Sequence, residues 1–425
     1  MNQIRVALNK LPPGPTINIL RKVFSMPSPV ARLILNDITK PRSSHKPWIH
    51  KVTGNNEWSG CWIGENIKHL DQASLMKRIN ESDIVFFNVH GGGFRIGSCT
   101  MYMDTWIQWI KVLKLHYGMQ VMIMSIDYRL APEYKYPSLV EDVVRAYEYL
   151  TRTLQVDANK IIVSGDSAGA SLILEMLFIT HDPSMFEIVT DDESGPTLTE
   201  LPRPAAAVFS SPLVTDKTNS ASWKHNVKYD YITQYTAKII KKDYFEPVTD
   251  AEEDNPILGI AKLESGFHAF LPEQVLMFIG NKEVLRDDAL ELAQKAQSDG
   301  VYWETVVEDC VHDWFCVREI VKDKKMLLRA DATFASFCYR AVRHGQGNTP
   351  TAIPYEDIMN ASGYSIRRSN EGLDVVLEEE EDDDDTDLES VTVGVADLGK
   401  KKLASDNTIV VTEKVIKQKT ETVFV

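Results

Sequence analysis

The stretch "KIIVSGDSAGASLILEM", residues 160–176, joins a short apolar run to a helix-forming run through a turn of small residues. The turn, GDSAG (165–169), fits the pattern G-x-S-x-G. A strand-to-helix turn of this kind exposes the serine hydroxyl at the end of a sheet. An ordinary glycine-rich turn with an incidental serine has the same spacing, so the surrounding segments must discriminate between the two.

Short apolar runs alternate with amphipathic helical patterns on both sides of this turn. The runs are continuous rather than alternating in polarity, which is typical of strands buried on both faces. One helical pattern begins at Ser138, and another ends at Gly300, a good C-terminal cap. Strands are predicted at 84–89, 120–126, 160–165, 205–211, 274–280 and 303–308. This alternation predicts βαβ units around a parallel sheet, an α/β fold.

Three segments interrupt the alternation and set the predicted domain boundaries. Residues 1–45 form an N-terminal cap segment with two apolar helical stretches, and residues 46–344 form the main domain. That domain contains an irregular insertion at 214–270, a cap or lid over one end of the sheet. The insertion carries an aromatic cluster, namely Tyr229, Tyr231, Tyr235, Tyr244 and Phe245. Residues 345–425 are polar and poor in aromatic side chains, which predicts a disordered acidic tail.

The net charge of the chain is concentrated in that tail. The formal charge is −15, but residues 371–389 contain twelve acidic and no basic residues, which leaves −3 for the rest. A folded part so close to neutral lacks the basic surface that nucleic acid requires, so no nucleic-acid partner is expected. The sequence has five scattered cysteines and no apolar leader, which predicts a cytoplasmic protein. It has no run of 18 consecutive apolar residues, so no transmembrane span is expected.

Two more motifs follow predicted strands. HGGGF (90–94) contains three consecutive glycines, which permit backbone conformations that turn amide N–H groups toward a ligand. Acyl transfer needs such donors, because negative charge develops on the carbonyl oxygen in the transition state. A steric role or a phosphate loop would also use glycines, but neither phosphate-loop pattern is present. DYRLAPE (127–133) by itself predicts a loop with a buried ion pair.

HGGGF, YRLAPE and GDSAG, in this order and at these separations, resemble the hormone-sensitive-lipase-like branch of the α/β-hydrolases. The resemblance covers roughly residues 83–344. It implies an eight-stranded, mostly parallel sheet with a helical cap, in which 46–344 is the catalytic domain. It also implies an ester-hydrolysing activity and no metal or organic cofactor.

The resemblance assigns roles to individual residues. Ser167 matches the nucleophile, and His312 in EDCVHDWF matches the general base. The family usually has glycine after this histidine, whereas this chain has Asp313, so the conformation of that loop is an open question. His90 is expected to orient the glycine loop rather than to act in catalysis. The N–H groups expected to stabilise the oxyanion are those of Gly91, Gly92, Gly93 and Ala168, with Gly92 and Gly93 the favoured glycines.

The resemblance does not directly assign the acid that orients His312, because this sequence departs from the family's pattern there. Relatives have Asp-Pro-Leu-Arg-Asp after the strand, and the first aspartate is the triad acid. The aligned stretch here is EVLRD (283–287), so we expect Glu283 to take that role. Asp287, Asp216 and Asp309 are the alternatives.

The resulting hypothesis is a serine esterase that cleaves uncharged, moderately hydrophobic carboxylic esters through an acyl-enzyme. Short- or medium-chain acyl esters, acetyl esters, and lipid or sterol esters all fit this description. The alternative is a non-catalytic small-ligand binding module on the same fold. The sequence leaves open the oligomeric state and a peripheral contact with an internal membrane or a lipid droplet.

Overall fold

A computed structural model describes the backbone of residues 12–53, 58–181, 200–245 and 258–345, together with six short strands between 365 and 424. The chain divides into two units, residues 1–378 and 379–425. The first unit contains a sheet of eight strands with helices on both faces.

The sheet has the strand order β1-β2-β4-β3-β5-β6-β7-β8. The strands are β1 (Ile49–Thr53), β2 (Ser59–Ile63), β3 (Ile84–Val89), β4 (Val121–Asp127), β5 (Ile161–Asp166), β6 (Ala206–Ser210), β7 (Gln274–Gly280) and β8 (Tyr302–Glu308). All pairs from β4 onward in this order are parallel, whereas β1–β2 and β2–β4 are antiparallel. The mostly parallel, eight-stranded sheet is therefore confirmed, and so are the six strands predicted individually. The apolar-run pattern missed the two antiparallel strands β1 and β2, because neither of their sequences, IHKVT and SGCWI, is a continuous apolar run.

Eleven α-helices lie in the described part of the chain. They are α1 (Pro13–Phe24), α2 (Ser28–Ile38), α3 (Gln72–Asn80), α4 (Met103–Tyr117), α5 (Ser138–Glu148), α6 (Ser167–His181), α7 (Ala221–His225), α8 (Gln234–Ile240), α9 (Phe267–Phe270), α10 (Arg286–Ser298) and α11 (Lys324–Gly345). Among these described helices, none is long and apolar enough to cross a membrane.

The core lies on both faces of the sheet, as the continuous apolar strands predicted. Along β3, Val85, Phe87 and Val89 belong to one buried cluster, which includes residues of α5 and α6. The alternate residues Ile84 and Phe86 belong to a second buried cluster on the other face, which includes residues of α4 and α11. Because successive side chains of a strand point to opposite faces, this division explains why β3 is apolar at five of its six positions. The sixth, Asn88, is buried and hydrogen-bonded to the side chains of Ser125 and Ser164.

The N-terminal helices α1 and α2 are bound to distant segments by three arginines. Arg21 donates to the carbonyl oxygen of Asp230 at 3.1 Å, Arg32 to the carboxylate of Glu133 at 2.7 Å, and Arg95 to the carboxylate of Asp243 at 2.6 Å. Arg95 follows the glycine loop directly, and its guanidinium also donates to the carbonyl oxygen of Met26, between α1 and α2. These contacts join the N-terminal segment, the glycine loop and the 214–270 insertion.

The predicted insertion contains α7, α8 and α9, and its residues 246–257 lie outside the described residues. In the aromatic cluster, Tyr231, Tyr244 and Phe245 are buried, whereas Tyr229 and Tyr235 are exposed. The boundaries drawn at 45 and 344 stay predictions.

Beyond residue 345 the structure describes only short antiparallel strand pairs. In the first unit, β9 (Ser365–Ser369) pairs with β10 (Gly372–Val376). In the second unit, β11 (Ile409–Val411) pairs with β14 (Thr422–Phe424), and β12 (Lys414–Val415) pairs with β13 (Gln418–Lys419). The acidic run EEEEDDDD lies outside the described residues, and the disordered tail stays a prediction.

Candidate active site

Ser167 lies where β5 ends and α6 begins, at the carboxyl edge of the parallel strands. Its φ of +47° is in the left-handed region, which is uncommon for a residue with a side chain and marks a sharp turn. A Cβ at Gly169 would overlap the carbonyl oxygens of Val89 and His90 at the end of β3. The second glycine of G-x-S-x-G therefore lets α6 approach the neighbouring strand closely.

The structure brings Ser167, His312 and Glu283 together although 145 residues separate the first two. His312 follows β8, and its Nε2 lies 2.9 Å from the Ser167 Oγ. Its Nδ1 lies 3.1 Å from the Glu283 Oε2. Glu283 is in a tight turn after β7, and its other carboxylate oxygen accepts the Gly280 amide at 3.0 Å. All three side chains are buried, so they form a hydrogen-bonded relay shielded from water.

The three alternative acids pair with other residues. Their partners are Ser222 and Arg286 for Asp287, Lys241 for Asp216 and Lys282 for Asp309. Asp287 is in the first turn of α10, where a negative charge interacts favourably with the helix dipole. Of the four candidate acids, Glu283 is the one whose carboxylate lies at hydrogen-bond distance from Nδ1 of His312.

The glycine loop approaches the same point from β3. Gly92 and Gly93 have φ of +106° and +61°, so only glycine adopts this loop without strain. Within the described part of the chain, the amides of Gly92 and Gly93 donate to no acceptor, and the Ala168 amide belongs to the first turn of α6, whose N–H groups lack helical partners. Gly91 differs, because its amide donates to the Asp166 carboxylate at 2.9 Å. We therefore correct the expected donor set to Gly92, Gly93 and Ala168.

Asp166 supports both the glycine loop and the serine turn. Its second carboxylate oxygen accepts the Tyr102 hydroxyl at 2.8 Å, and burial raises the pKa of Asp166 to about 6. His90 contacts the loop from behind: its Nδ1 lies 2.8 Å from the Gly91 carbonyl oxygen, and its ring stacks on Tyr128. The structure thus places His90 as a support of the loop, whereas the sequence carried no signal for the Tyr102 contact.

His312 has more carboxylate neighbours than sequence reasoning found. The Asp313 Oδ2 lies 3.2 Å from Nε2 of His312, the same nitrogen that faces Ser167. Asp230 is also buried, and its carboxylate interacts electrostatically with His312. Burial alone would lower the pKa of His312, but Asp313 foremost, then Glu283 and Asp230, outweigh burial and raise that pKa to about 10. Asp313 was noticeable as a departure from glycine, while nothing in the sequence pointed to Asp230.

A cavity of about 30 Å³ opens beside Ser167 and Gly93. Its other walls are mainly apolar and come from α1, from the insertion and from the segment after β6, including Phe24, Leu213, Trp223, Ile232, Ile240 and Phe245. A buried water needs at least about 10–15 Å³, so this cavity holds roughly two waters. No group of three His, Cys, Asp or Glu side chains in the described ranges could hold a metal ion.

Known proteins that resemble this chain share one fold family. The sequence model of the α/β-hydrolase fold matches residues 86–316, more than half of the chain. The chain therefore belongs to the α/β-hydrolase fold family.

Among curated relatives, Lipase 2 of Moraxella sp. (strain TA144) is 26% identical over 282 residues, which cover 60% of this chain and 62% of that protein. An esterase of Acinetobacter venetianus is 27% identical over 240 residues, which cover 56% of this chain and 66% of that protein. The chain thus spans less than two thirds of the length of these two relatives.

Solved structures share the fold over most of the chain. A hormone-sensitive lipase from a metagenome library superimposes with a TM-score of 0.58 at 22% identity, over 79% of this chain and 99% of that one. An esterase from the bacterial hormone-sensitive lipase family gives a TM-score of 0.57 at 24% identity, over 78% of this chain and 98% of that one. The resemblance to the hormone-sensitive-lipase-like branch is confirmed at the level of the fold.

Proposed function

We propose that this protein is a serine hydrolase that cleaves carboxylic esters through an acyl-enzyme. The observation that carries the proposal is the buried relay from Ser167 through His312 to Glu283, with distances of 2.9 and 3.1 Å. A serine with only a structural role in a turn does not require a histidine and a buried carboxylate aligned with its hydroxyl. The relatives named lipase and esterase support the same activity.

In the first half of the reaction, the Ser167 Oγ attacks the ester carbonyl carbon while Nε2 of His312 accepts the hydroxyl proton. The carbonyl π electrons move to the oxygen, where the amides of Gly92, Gly93 and Ala168 stabilise the negative charge. The bond from carbon to the alcohol oxygen then breaks, and His312 returns the proton to the departing alcohol.

In the second half, water enters and His312 accepts one of its protons as the oxygen attacks the acyl carbon. The intermediate collapses by releasing Ser167, which regains a proton from His312, and the carboxylic acid leaves. Glu283 stays ionised throughout: it accepts the hydrogen bond from Nδ1, which holds the tautomer in which Nε2 is free to accept a proton.

We propose an uncharged, moderately hydrophobic ester as the substrate, with a short or medium acyl chain or the acetyl ester of a lipid or sterol alcohol. The apolar walls of the cavity support this class. The cavity of about 30 Å³ is smaller than an acyl chain, so we further propose that α1 and α8 move apart to admit substrate. Helices α1 and α2 with the insertion then act as the cap.

A fluorophosphonate probe tests the nucleophile directly, because it modifies activated serines and leaves ordinary ones unchanged. We expect one adduct by intact-mass analysis of the wild type and none in Ser167→Ala. Ser171→Ala is the matched control, since Ser171 is also buried in α6 and should leave labelling intact. If the wild type and Ser167→Ala label equally poorly while both remain folded, the non-catalytic binding module replaces the hydrolase.

We also propose a reducing, cytoplasmic location for the protein. The five cysteines all lie in the described part of the chain and all are free thiols, which supports a compartment that does not form disulfides. Peripheral contact with an internal membrane or lipid droplet would suit a lipid ester substrate, and vesicle flotation of the intact protein tests it.

A further inference from the structure

Nε2 of His312 faces two oxygen atoms instead of one. The Ser167 Oγ lies 2.9 Å from this nitrogen and the Asp313 Oδ2 lies 3.2 Å from it. Because Glu283 lies 3.1 Å from Nδ1, a carboxylate stands at each nitrogen of the same ring. A general base must offer the lone pair of Nε2 to the serine hydroxyl, so a carboxylate at that nitrogen bears directly on the reaction.

The backbone holds Asp313 in this position. Its φ of +55° is left-handed, a conformation that aspartate tolerates better than most residues do. Its amide donates to the Ser211 Oγ at 2.9 Å, and the residue is only 4% exposed. The Oδ1 atom of Asp313 is buried and has no hydrogen-bond partner among the described residues. Packing alone therefore does not account for an aspartate here, because a buried carboxylate oxygen without a partner is costly.

The charges around this pair are almost all negative. The groups that face His312 and Asp313 are Asp166 at the end of β5, Asp230 of the insertion, Glu283 after β7, the phenols of Tyr102 and Tyr231, and the Cys316 thiol. No Lys or Arg side chain in the described ranges pairs with any of the four carboxylates. A positive charge on His312 is therefore favoured. Burial raises the pKa of Asp313 well above its usual range although the charge of His312 opposes that shift, so the two neighbouring groups compete for one proton.

We propose that Asp313 is a positioning residue that keeps a proton on Nε2 of His312 in the resting site and thereby sets the lower pH limit of catalysis. This inference rests on the proposed ester hydrolysis. Before turnover, the proton shared between Nε2 and the Asp313 carboxylate must pass to solvent. Only then is the lone pair of Nε2 free to accept the proton of Ser167 as the Oγ bonds to the carbonyl carbon.

The test compares the pH dependence of kcat/KM for a small activated ester in the wild type, Asp313→Asn and Asp313→Gly. Asparagine and glycine both fit a left-handed backbone, so either variant removes the charge without demanding a new loop conformation. We expect the midpoint of the acid limb to fall by about 1–3 pH units in both variants, the usual effect of one opposite charge at this distance. Activity well below the wild-type midpoint should rise about tenfold for each unit of that fall.

Asp309→Asn is the matched control. It removes one charge three residues before His312, but the Asp309 side chain is 68% exposed and its field is screened by solvent. The midpoint of the acid limb of this variant should equal that of the wild type. Unchanged midpoints in both Asp313 variants would overturn the proposal, and so would a midpoint that moves in Asp313→Gly but not in Asp313→Asn, because the charge would then have no role.

A measurement that needs no turnover separates this inference from the proposed function. The His312 imidazole nitrogens can be followed by NMR as the pH changes, with assignment from the His312→Ala variant. We expect Nε2 to stay protonated to a higher pH in the wild type than in Asp313→Asn. If that difference appears in a protein that neither cleaves esters nor reacts with fluorophosphonate, Asp313 holds the proton but the hydrolase proposal fails. Identical titration in the two proteins refutes the role of Asp313.

Discussion

The carboxyl edge of the sheet and the cover, by which we mean α1, α2 and the 214–270 insertion, are held in place by different kinds of contact. At the edge, backbone conformation positions the chemistry: Ser167, Gly92 and Asp313 all have positive φ, and each follows or adjoins the end of a strand. In the cover, side chains reach across the molecule, as Arg21 of α1 does to the carbonyl of Asp230. The edge is therefore built from strand ends and tight turns, and the cover from long-range side-chain contacts.

This difference separates two kinds of function. Groups at the edge act on the reacting atoms, and small errors in their position change the rate of the chemical step. Groups in the cover, such as Phe24 of α1, bound the space beside Ser167, so they select among substrates that undergo the same chemistry. Substitutions in the two regions should accordingly give effects of different size and kind.

The largest effect is expected at the acid of the relay. Glu283→Gln should lower kcat by about 10⁴, because an amide N–H facing Nδ1 stabilises the tautomer whose Nε2 already carries a proton. The fold should persist, since the amide oxygen can still accept the Gly280 amide. The rates are measured with a short-chain ester, and the folded state is checked by thermal melting.

Asp287→Asn is the control for that substitution, because Asp287 lies only four residues after Glu283, in the first turn of α10, but is bonded to Ser222 and Arg286. It should change kcat by less than about threefold, which corresponds to under 1 kcal/mol. Loss of turnover in Asp287→Asn with retention in Glu283→Gln would reverse the assignment of the acid.

An intermediate effect is expected at the glycine loop. A Cβ in Gly92→Ala would overlap the Ile96 carbonyl oxygen, so the loop must shift. Its amide N–H groups then no longer point toward the oxyanion. We expect kcat to fall by about 10²–10³, the usual cost of losing one oxyanion donor. Steady-state kinetics with an activated ester measures this loss.

Gly118→Ala tests whether backbone strain alone explains the result. Gly118 also has a positive φ, of +65°, but a Cβ there meets no atom within 4 Å. It should cost about 1–2 kcal/mol of stability and leave kcat unchanged. A Gly92→Ala enzyme with normal kcat would remove the glycine loop from the proposed oxyanion site.

The smallest effect is expected in the cover. Phe24→Ala enlarges the cavity on the α1 side, so the ratio of kcat/KM for a medium-chain ester to that for an acetyl ester should rise about tenfold. Leu33→Ala in α2 is the control, because Leu33 is 73% exposed and lines no wall of the cavity. If Phe24→Ala shifts the ratio no more than Leu33→Ala does, α1 is not part of the substrate wall.

Much of the fold and of the relay could be predicted from local patterns. Continuous apolar runs predicted six of the eight strands because parallel strands covered on both faces admit few polar residues. The carboxyl ends of such strands meet at one edge of the sheet, so motifs that follow separate strands could be expected to converge there. The resemblance assigned the three roles, and this convergence explains why Ser167, Glu283 and His312 lie together despite their distance along the chain.

Other features depended on contacts that have no local pattern. The direction of the Gly91 amide depends on how β3 and β5 lie side by side. In the structure this amide donates to the Asp166 carboxylate and not toward a ligand. The approach of Asp230 to His312 and of Phe24 to the cavity depends on tertiary packing between segments remote in sequence. The sequence showed that Asp313 replaces the usual glycine, but it did not show where the side chain points. The left-handed backbone at Asp313 places its carboxylate beside Nε2, because the direction of a side chain follows from backbone torsion and packing rather than from composition.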